Sequence, residues 1–170
     1  VGEKISAIIP IQNFASDKYL LMGTKCGLIK KTPLREYDSS RRTGLLGITL
    51  KEDDELISVK KTDGNKEILM ASSLGRMVRF NEAGIRVMGR GASGVRGINL
   101  GSSRLINMDV VSDNQSVLVV TEKGFGKRTK ALSFKVKGRN TKGVKYMNIT
   151  AKSGNPVALS VCSKDEDLVV

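Results

Sequence analysis

The sequence contains no histidine and no tryptophan, and aromatic residues make up only 4% of it. Its two cysteines, Cys26 and Cys162, are isolated, so the chain has almost none of the side chains from which zinc sites are built. No serine or cysteine is placed beside a base, and we therefore expect no catalytic residue, no metal site and no cofactor. The scarcity of aromatic rings also argues against a surface on which single-stranded bases stack.

Long apolar runs are absent too, and acidic residues are few. No run of 18 apolar residues occurs, which predicts that no helix crosses a membrane and that no membrane is a partner. Residues 123–152 hold ten Lys or Arg and no Asp or Glu, and the net charge of the chain is +12. Such a chain favours a polyanion as its partner, most often nucleic acid. Together with the isolated cysteines, this predicts a cytoplasmic, nucleoid-associated protein.

What the chain does contain is a repeat of about 49 residues. Its clearest segments are YLLMGTKCGLIKKT, EILMASSLGRMVRF and SVLVVTEKGFGKRT. Two glycine columns recur with the repeat, and their members are Gly27, Gly75, Gly124, Gly44, Gly94 and Gly143. We place the repeats at about residues 19–66, 67–115 and 116–167. Residues 1–14 are then the last strand of a preceding repeat, and residues 168–170 are the start of a further one.

Each repeat has the pattern of four short strands separated by glycine turns. In the second repeat, an apolar strand at 67–71 is followed by a tight turn and by a strand at 76–80 that alternates basic and apolar residues. Strands at 95–100 and 105–111 complete it. Four-stranded repeats of this length are typical of propeller blades. The prediction is an all-β fold of about three blades, each with four antiparallel strands. If each blade takes its outer strand from the preceding repeat, the chain holds three whole blades and a remnant.

The cations recur at the repeat spacing and form the candidate binding residues. Two columns are Lys31, Arg79, Arg128 and Arg41, Arg90, Arg139. For the first column we favour phosphate contacts over solvated strand charges; for the second, phosphate contacts and arginines that merely hold the loop remain equal alternatives. The third repeat adds a basic group made of Lys127, Lys130, Lys135, Lys137, Lys142 and Lys145. Phosphate neutralisation by these cations would give sequence-tolerant binding of duplex DNA.

Three segments resemble the C-terminal domain family of the DNA gyrase A protein. They are residues 87–98 (VMGRGASGVRGI), 121–129 (TEKGFGKRT) and 138–144 (GRNTKGV). The related domain of topoisomerase IV is the nearest family with which they can be confused. The resemblance covers almost the whole chain and implies a six-bladed β-pinwheel, a propeller variant whose blades exchange strands. This chain would then be about half of the ring.

The resemblance also implies a function. In that family the basic outer rim bends and wraps duplex DNA, and gyrase uses the wrapped segment for strand passage and negative supercoiling. Implied partners are double-stranded DNA, the breakage-reunion domain of the gyrase A protein, and the gyrase B protein. The catalytic tyrosine has no counterpart here, so we expect no enzyme activity in this chain. The glutamine-led box of the first blade is also missing: residues 41–44 (RRTG) occupy its loop.

Two other motifs have weaker claims to function. Residues 89–94 (GRGASG) match the glycine pattern of dinucleotide sites, but a strand rather than a helix is predicted to follow, which favours a loop between blades. Residues 52–55 (EDDE) lack the spacing of a calcium loop and are typical of a solvated turn. The main alternative to DNA binding is a protein-interaction propeller whose rim is basic without function.

Overall fold

The computed structural model describes residues 4–14, 17–40 and 43–163. In these ranges the regular elements are eleven β-strands and three short 3-10 turns. The 3-10 turns are Leu34–Tyr37, Glu82–Gly84 and Ala131–Ser133. The all-β prediction is therefore confirmed, and the strands form three antiparallel sheets that follow one another along the chain.

The first sheet is built mainly from the first repeat. Its strands are β1 (Tyr19–Thr24), β2 (Leu28–Pro33), β3 (Leu56–Thr62) and β6 (Val95–Arg96), in the spatial order β3-β1-β2-β6. The edge strand β6 lies in the second repeat, yet it pairs with β2 through Leu28 opposite Arg96 and Ile29 opposite Val95. One repeat therefore lends a strand to the sheet before it.

The second sheet has the same plan, one repeat further along. Its strands are β4 (Glu67–Ser72), β5 (Arg76–Asn81), β7 (Leu105–Val111) and β10 (Val144–Lys145), in the order β10-β5-β4-β7. Here β10 comes from the third repeat and pairs with β5. The exchange thus recurs at the repeat spacing.

The third sheet contains β8 (Ser116–Thr121), β9 (Gly126–Lys130) and β11 (Pro156–Cys162), in the order β11-β8-β9. Within the described residues it has three strands, not the four predicted for every blade, because the strand beside β9 would come from a following repeat. The prediction that the preceding repeat supplies the outer strand was wrong in direction.

The ends of the chain differ from their prediction or cannot be compared with it. Residues 4–14 contain no strand, although the last strand of a repeat was expected there. Instead, Ile9, Ile11 and Phe14 pack on the cluster of Leu20 and its neighbours on the first sheet. Residues 168–170 lie outside the described residues.

Glycines set the geometry of strand exchange. Gly94 and Gly143 have φ of +98° and +70°, which L side chains rarely adopt. A Cβ on Gly94 would lie 2.7 Å from the Ile29 carbonyl oxygen, and one on Gly143 would lie 2.1 Å from that of Met77. These positions admit only glycine, since the exchanged strand crosses directly over the backbone of the sheet it joins.

The core consists of layers between successive sheets. The second sheet lies between the other two, so β4 is buried on both faces and is a continuous apolar run. Ile68, Met70 and Phe80 face the first sheet, whereas Leu69 and Met77 face the third. We call the contact between the first and second sheets the first junction, and that between the second and third sheets the second junction.

Successive sheets meet along β3, β7 and β11, which define the inner side of the assembly. Polar contacts join these strands: the Lys60 ammonium lies 2.7 Å from the Asp109 carboxylate, and the Ser58 hydroxyl donates to the Met108 carbonyl at 2.7 Å. The exchanged strands β6 and β10 lie at the opposite edge of their sheets. That outer edge carries the candidate site.

Candidate nucleic-acid interface

Exposed cations line the outer edge of the three sheets. They lie on β6, β9 and β10 and on the two linkers that lead into the exchanged strands. We call this set the outer-edge cations: Arg86, Arg96, Lys127, Lys130, Lys135, Lys137, Lys142 and Lys145. All eight side chains are exposed, and none takes part in a salt bridge among the described residues. The edge therefore presents positive charge that no carboxylate among the described residues neutralises through a salt bridge.

Lys31, the first member of the strand column, is buried. Lys31 is only 5% exposed. Its ammonium lies 3.7 Å from the carboxylate of Glu82 and 4.6 Å from the centre of the Tyr19 ring. The ammonium also donates to the carbonyls of Gly64 and Glu82, each at 3.4 Å. Since Glu82 belongs to the second repeat, Lys31 fastens the first sheet to the second.

Arg79 makes the equivalent connection at the second junction. It is 4% exposed, and its guanidinium donates to the carbonyls of Ala131 at 2.9 Å and Phe134 at 3.2 Å. It is also paired with the carboxylates of Glu67 and Asp113. A guanidinium with these four partners inside the protein has few donors left for a phosphate. The structure thus moves Lys31 and Arg79 out of the candidate surface and into the sheet junctions.

Arg128, the third member of the column, is exposed. Its guanidinium donates to the Ser163 carbonyl at 3.1 Å, a contact within its own repeat. Lys31 and Arg79 also bond to the loop after the last strand of their own repeats, Lys31 to the Gly64 carbonyl and Arg79 to the Asp113 carboxylate. Among the described residues, Arg128 therefore makes only the contact within its own repeat and none to a following sheet.

The loop column is divided in a similar way. Arg41 lies outside the described residues. Arg90 is half-buried, and its carbonyl accepts a hydrogen bond from the Lys30 ammonium. The Arg139 guanidinium donates to the carbonyls of Gly84 at 3.1 Å and Arg96 at 3.0 Å, which ties two linkers together. The Arg139 contacts are of the kind expected if arginines hold the loop, whereas the Arg90 contact involves its backbone carbonyl and not its guanidinium.

Lys127, Lys130 and Lys142 are exposed on the outer edge, as a binding role requires. Only the backbone of Lys142 is engaged, since its carbonyl accepts from the Arg76 guanidinium at 3.1 Å. DNA contact by the candidate residues remains a prediction, and no salt bridge within residues 4–14, 17–40 and 43–163 occupies the ammonium groups of these three.

Lys30 is a buried lysine that the sequence did not single out. It is 0% exposed and donates to the carbonyls of Gly47 and Arg90, and it has no carboxylate partner in the part of the chain that the structure describes. Burial disfavours its charged form and, with the nearby Arg90 guanidinium, lowers its pKa to about 8. The lysine joins the glycine-rich loops of the first two repeats. Its position in the repeat, one before the strand column, was the available signal.

The described residues offer no alternative chemistry at this surface. No group of three or more His, Cys, Asp or Glu side chains suited to a metal ion occurs among them. In the same part of the chain, no helix is long and apolar enough to cross a bilayer.

Comparisons with known proteins match this architecture. The family described as DNA gyrase C-terminal domain, β-propeller, matches residues 18–63, 66–112 and 115–163. The DNA gyrase A protein of Staphylococcus epidermidis is 39% identical over 173 residues, which cover 99% of this chain and 19% of that protein. The corresponding protein of Staphylococcus aureus is 38% identical over 172 residues, with the same coverage. The chain spans about one fifth of the length of these relatives.

Solved structures agree on the fold. The crystal structure of the C-terminal domain of DNA topoisomerase IV superposes with a TM-score of 0.87 at 31% identity, covering 91% of this chain and 49% of that one. The structure of a DNA gyrase A C-terminal domain gives a TM-score of 0.77 at 24% identity and covers 91% and 52%. The three-sheet arrangement therefore corresponds to about half of each of those domains.

Proposed function

The chain belongs to the family of DNA gyrase C-terminal domains, and from this premise we propose that it binds duplex DNA by its phosphate backbone along the outer edge. The DNA is bent as it follows the edge from one sheet to the next. In the parent protein, this action presents a DNA segment for strand passage and negative supercoiling by a type II topoisomerase. This chain contributes binding and leaves catalysis to the rest of the enzyme.

The observation that carries the proposal is the separation of charge in the second half of the chain. Residues 83–108 contain four arginines and residues 123–163 contain ten Lys or Arg, and neither segment contains an Asp or Glu. These segments include both exchanged strands and the linkers that lead to them. An edge whose cations form no ion pair among the described residues attracts a polyanion, and duplex DNA provides phosphates at regular spacing.

The residues that we propose as contacts differ in part from the columns. The outer-edge cations make up the set, and Arg128 is added because its guanidinium is exposed. Lys31 and Arg79 support the binding surface indirectly, by fixing the angle between sheets. Aromatic side chains are too few to stack bases, which favours duplex over single-stranded DNA.

The proposed partners in the parent are the breakage-reunion domain of the gyrase A protein, and the gyrase B protein, in the bacterial cytoplasm at the nucleoid. The relatives, which are DNA gyrase A proteins, support this part of the proposal. A protein-interaction propeller with a basic rim is the competing function. It predicts that the rim binds acidic proteins no more weakly than DNA.

A salt titration tests the proposal. Fluorescence anisotropy of a labelled 30-base-pair duplex would be measured over a range of KCl concentrations with this chain. If four to six phosphates are neutralised, the log–log slope of affinity against salt is about −4 to −5. An unrelated duplex should bind about equally. Absence of binding at low salt, or an affinity that does not respond to salt, would refute the proposal.

A further inference from the structure

The two junctions differ at equivalent positions near the outer edge. At the first junction Val78, Phe80 and Met88 are 3%, 2% and 9% exposed and belong to the apolar core. The residues 49 positions later are Lys127, Thr129 and Lys137. The backbone plan is the same, yet two apolar side chains are replaced by lysines and an aromatic ring by a threonine.

The replacement leaves a groove at the second junction. It has a volume of about 360 Å³ and lies between β9, on the third sheet, and β10, at the edge of the second sheet. Four lysines line it, and they are Lys127, Lys135, Lys137 and Lys145. No carboxylate contributes to the lining, while Thr129 and Ser133 add hydroxyl groups. The groove is thus a cationic pocket in the place of an apolar plug.

The base of the groove is packed against the second sheet and hydrogen-bonded to it. Phe134 and Tyr146 are 6% and 4% exposed, and the Tyr146 hydroxyl already donates to the Ser72 carbonyl at 2.9 Å. The backbone N–H groups of Lys137 and Tyr146 donate to the carbonyls of Arg79 and Gly75 at 2.8 and 2.9 Å. One wall is therefore attached to the second sheet, whereas Lys127 belongs to the third.

We propose that this groove holds a backbone phosphate of duplex DNA and that the phosphate bridges the second and third sheets. The proposal rests on the proposed function and names a specific site for it. Four ammonium groups around one groove repel each other unless an anion enters, and phosphate oxygens accept hydrogen bonds from both ammonium and hydroxyl groups. All four lysines are exposed, so the groove is open enough to receive a phosphate that remains part of a duplex.

The site has a consequence for the path of the DNA. A phosphate gripped from both sheets couples the DNA to the angle of the second junction, whereas the first junction is closed by apolar packing. Contacts along the edge are then unequal, and the second junction is the point at which the duplex is held most tightly. Free phosphate shares the chemistry, so the test must separate the two sources.

The test copies the first junction into the second. The triple variant Lys127→Val, Thr129→Phe, Lys137→Met recreates the apolar plug with residues that the chain already uses at 78, 80 and 88. Its matched control is Lys123→Ala with Lys152→Ala, which removes the same charge near the β8–β9 turn. There the Lys123 ammonium donates to the Ala151 carbonyl, and the Lys152 ammonium lies over the Phe125 ring. Duplex binding would be measured by anisotropy over a salt series, and thermal unfolding would verify folding.

We expect the plug variant to lower affinity about tenfold at 0.1 M salt and to reduce the salt slope by about one to two, while the control keeps the slope of the unchanged chain. An equal loss in both variants would overturn the groove and leave only net charge, with the proposed function intact. If the unchanged chain binds no duplex, the proposed function itself fails.

Two further arms complete the design. If the plug variant does not fold, Lys135→Gln with Lys145→Gln removes two exposed groove lysines without filling the groove, and the same loss of slope is expected. Inorganic phosphate added at constant ionic strength should not displace the duplex from the unchanged chain. Displacement at millimolar phosphate would show that the groove takes free phosphate, and would overturn its assignment to DNA.

Discussion

The first and second junctions use one backbone plan for different chemistry. At both, a strand of the following repeat joins the preceding sheet, a glycine crosses over its backbone, and a buried cation fastens the two sheets. Near the outer edge the first junction is filled by Val78, Phe80 and Met88, whereas the second is open and lined by lysines. The shared backbone arrangement of the two junctions therefore does not require apolar side chains near the outer edge.

The difference between apolar residues at the first junction and lysines at the second shows where each junction obtains its stability. The second junction retains a core of Leu69 and Met77 from one sheet and Val117, Val119 and Leu159 from the other. These side chains lie deeper than the outer edge, so lysines can occupy the edge without loss of the core. A repeat protein can in this way convert one of its junctions to binding while its neighbour remains structural.

The largest expected effect comes from making the first junction resemble the second. Phe80→Thr removes a ring that is 2% exposed and leaves a cavity between sheets, which should lower the free energy of unfolding by about 3 kcal/mol or more. Urea unfolding followed by circular dichroism measures it. The reciprocal change, Thr129→Phe, should alter stability by less than about 1 kcal/mol because its site is open. Equal losses from both changes would abolish the distinction between the junctions.

The next effect compares buried and exposed members of the strand column. Arg79→Met leaves the carbonyls of Ala131 and Phe134 without their donor and should destabilise the chain by about 2–3 kcal/mol. Arg128→Met, at an exposed site with one carbonyl partner, should change stability by less than about 0.5 kcal/mol. Urea unfolding of the two variants side by side measures the difference.

The same pair of variants should show the opposite order in DNA binding. At permissive temperature, Arg128→Met should weaken duplex binding more than Arg79→Met, because only the Arg128 guanidinium is exposed. Anisotropy at low salt checks this order. If Arg79→Met, while folded, has the larger effect on affinity, the buried arginine takes part in binding after all.

The sequence predicted the class of fold because its repeat is regular. The 49-residue spacing, the turn glycines and the strand patterns of the second repeat specify antiparallel sheets that succeed one another. The direction of strand exchange was not predictable, since a two-residue strand such as Val95–Arg96 carries little pattern of its own. The strand expected at residues 95–100 is only Val95–Arg96 in the structure.

The site was predicted less well than the fold, for a physical reason. A basic residue in an alternating strand can be an exposed surface charge, and it can equally be a buried cation that joins two sheets. Which of the two it is depends on the partners that the neighbouring repeat supplies. Lys31 meets Glu82, and Arg79 meets two carbonyls of the third repeat, so both are buried. The groove lysines could have been found by comparing positions 49 residues apart, where Val78 and Met88 become Lys127 and Lys137.

A pH-dependent effect tests whether the first junction contains a destabilising charge. The pKa of Lys30 is lowered to about 8 in the folded chain from its ordinary 10.5. Between pH 8 and pH 10.5, the unfolded chain therefore binds more protons at this lysine than the folded chain does. Stability should therefore rise with pH through this window, by up to about 3 kcal/mol. Below pH 8 the full penalty of burying the ammonium remains.

Lys30→Met removes this titration and serves as the comparison. The variant should show a smaller increase in stability from pH 8 to pH 10.5 than the unchanged chain, measured by urea unfolding at each pH. A constant offset between the two proteins is expected as well, since the hydrogen bonds to the Gly47 and Arg90 carbonyls are lost. Parallel pH curves would show that Lys30 titrates normally.

The smallest expected effect concerns what the chain does to DNA topology. Wrapping requires a continuous curved surface, since bending 20–30 base pairs by 40–90° costs on the order of 1–6 kcal/mol. Here residues 33–55 contain more acidic residues than cations, whereas residues 83–108 and 123–163 contain cations and no acidic residue. The basic edge is therefore strong at the second junction and weak at the first. We expect binding without stable wrapping: the linking number of a relaxed circle, nicked and religated with the chain present, should change little. A large chiral shift would show that the second junction alone sets the DNA path, and that the mixed charge of the first repeat does not limit it.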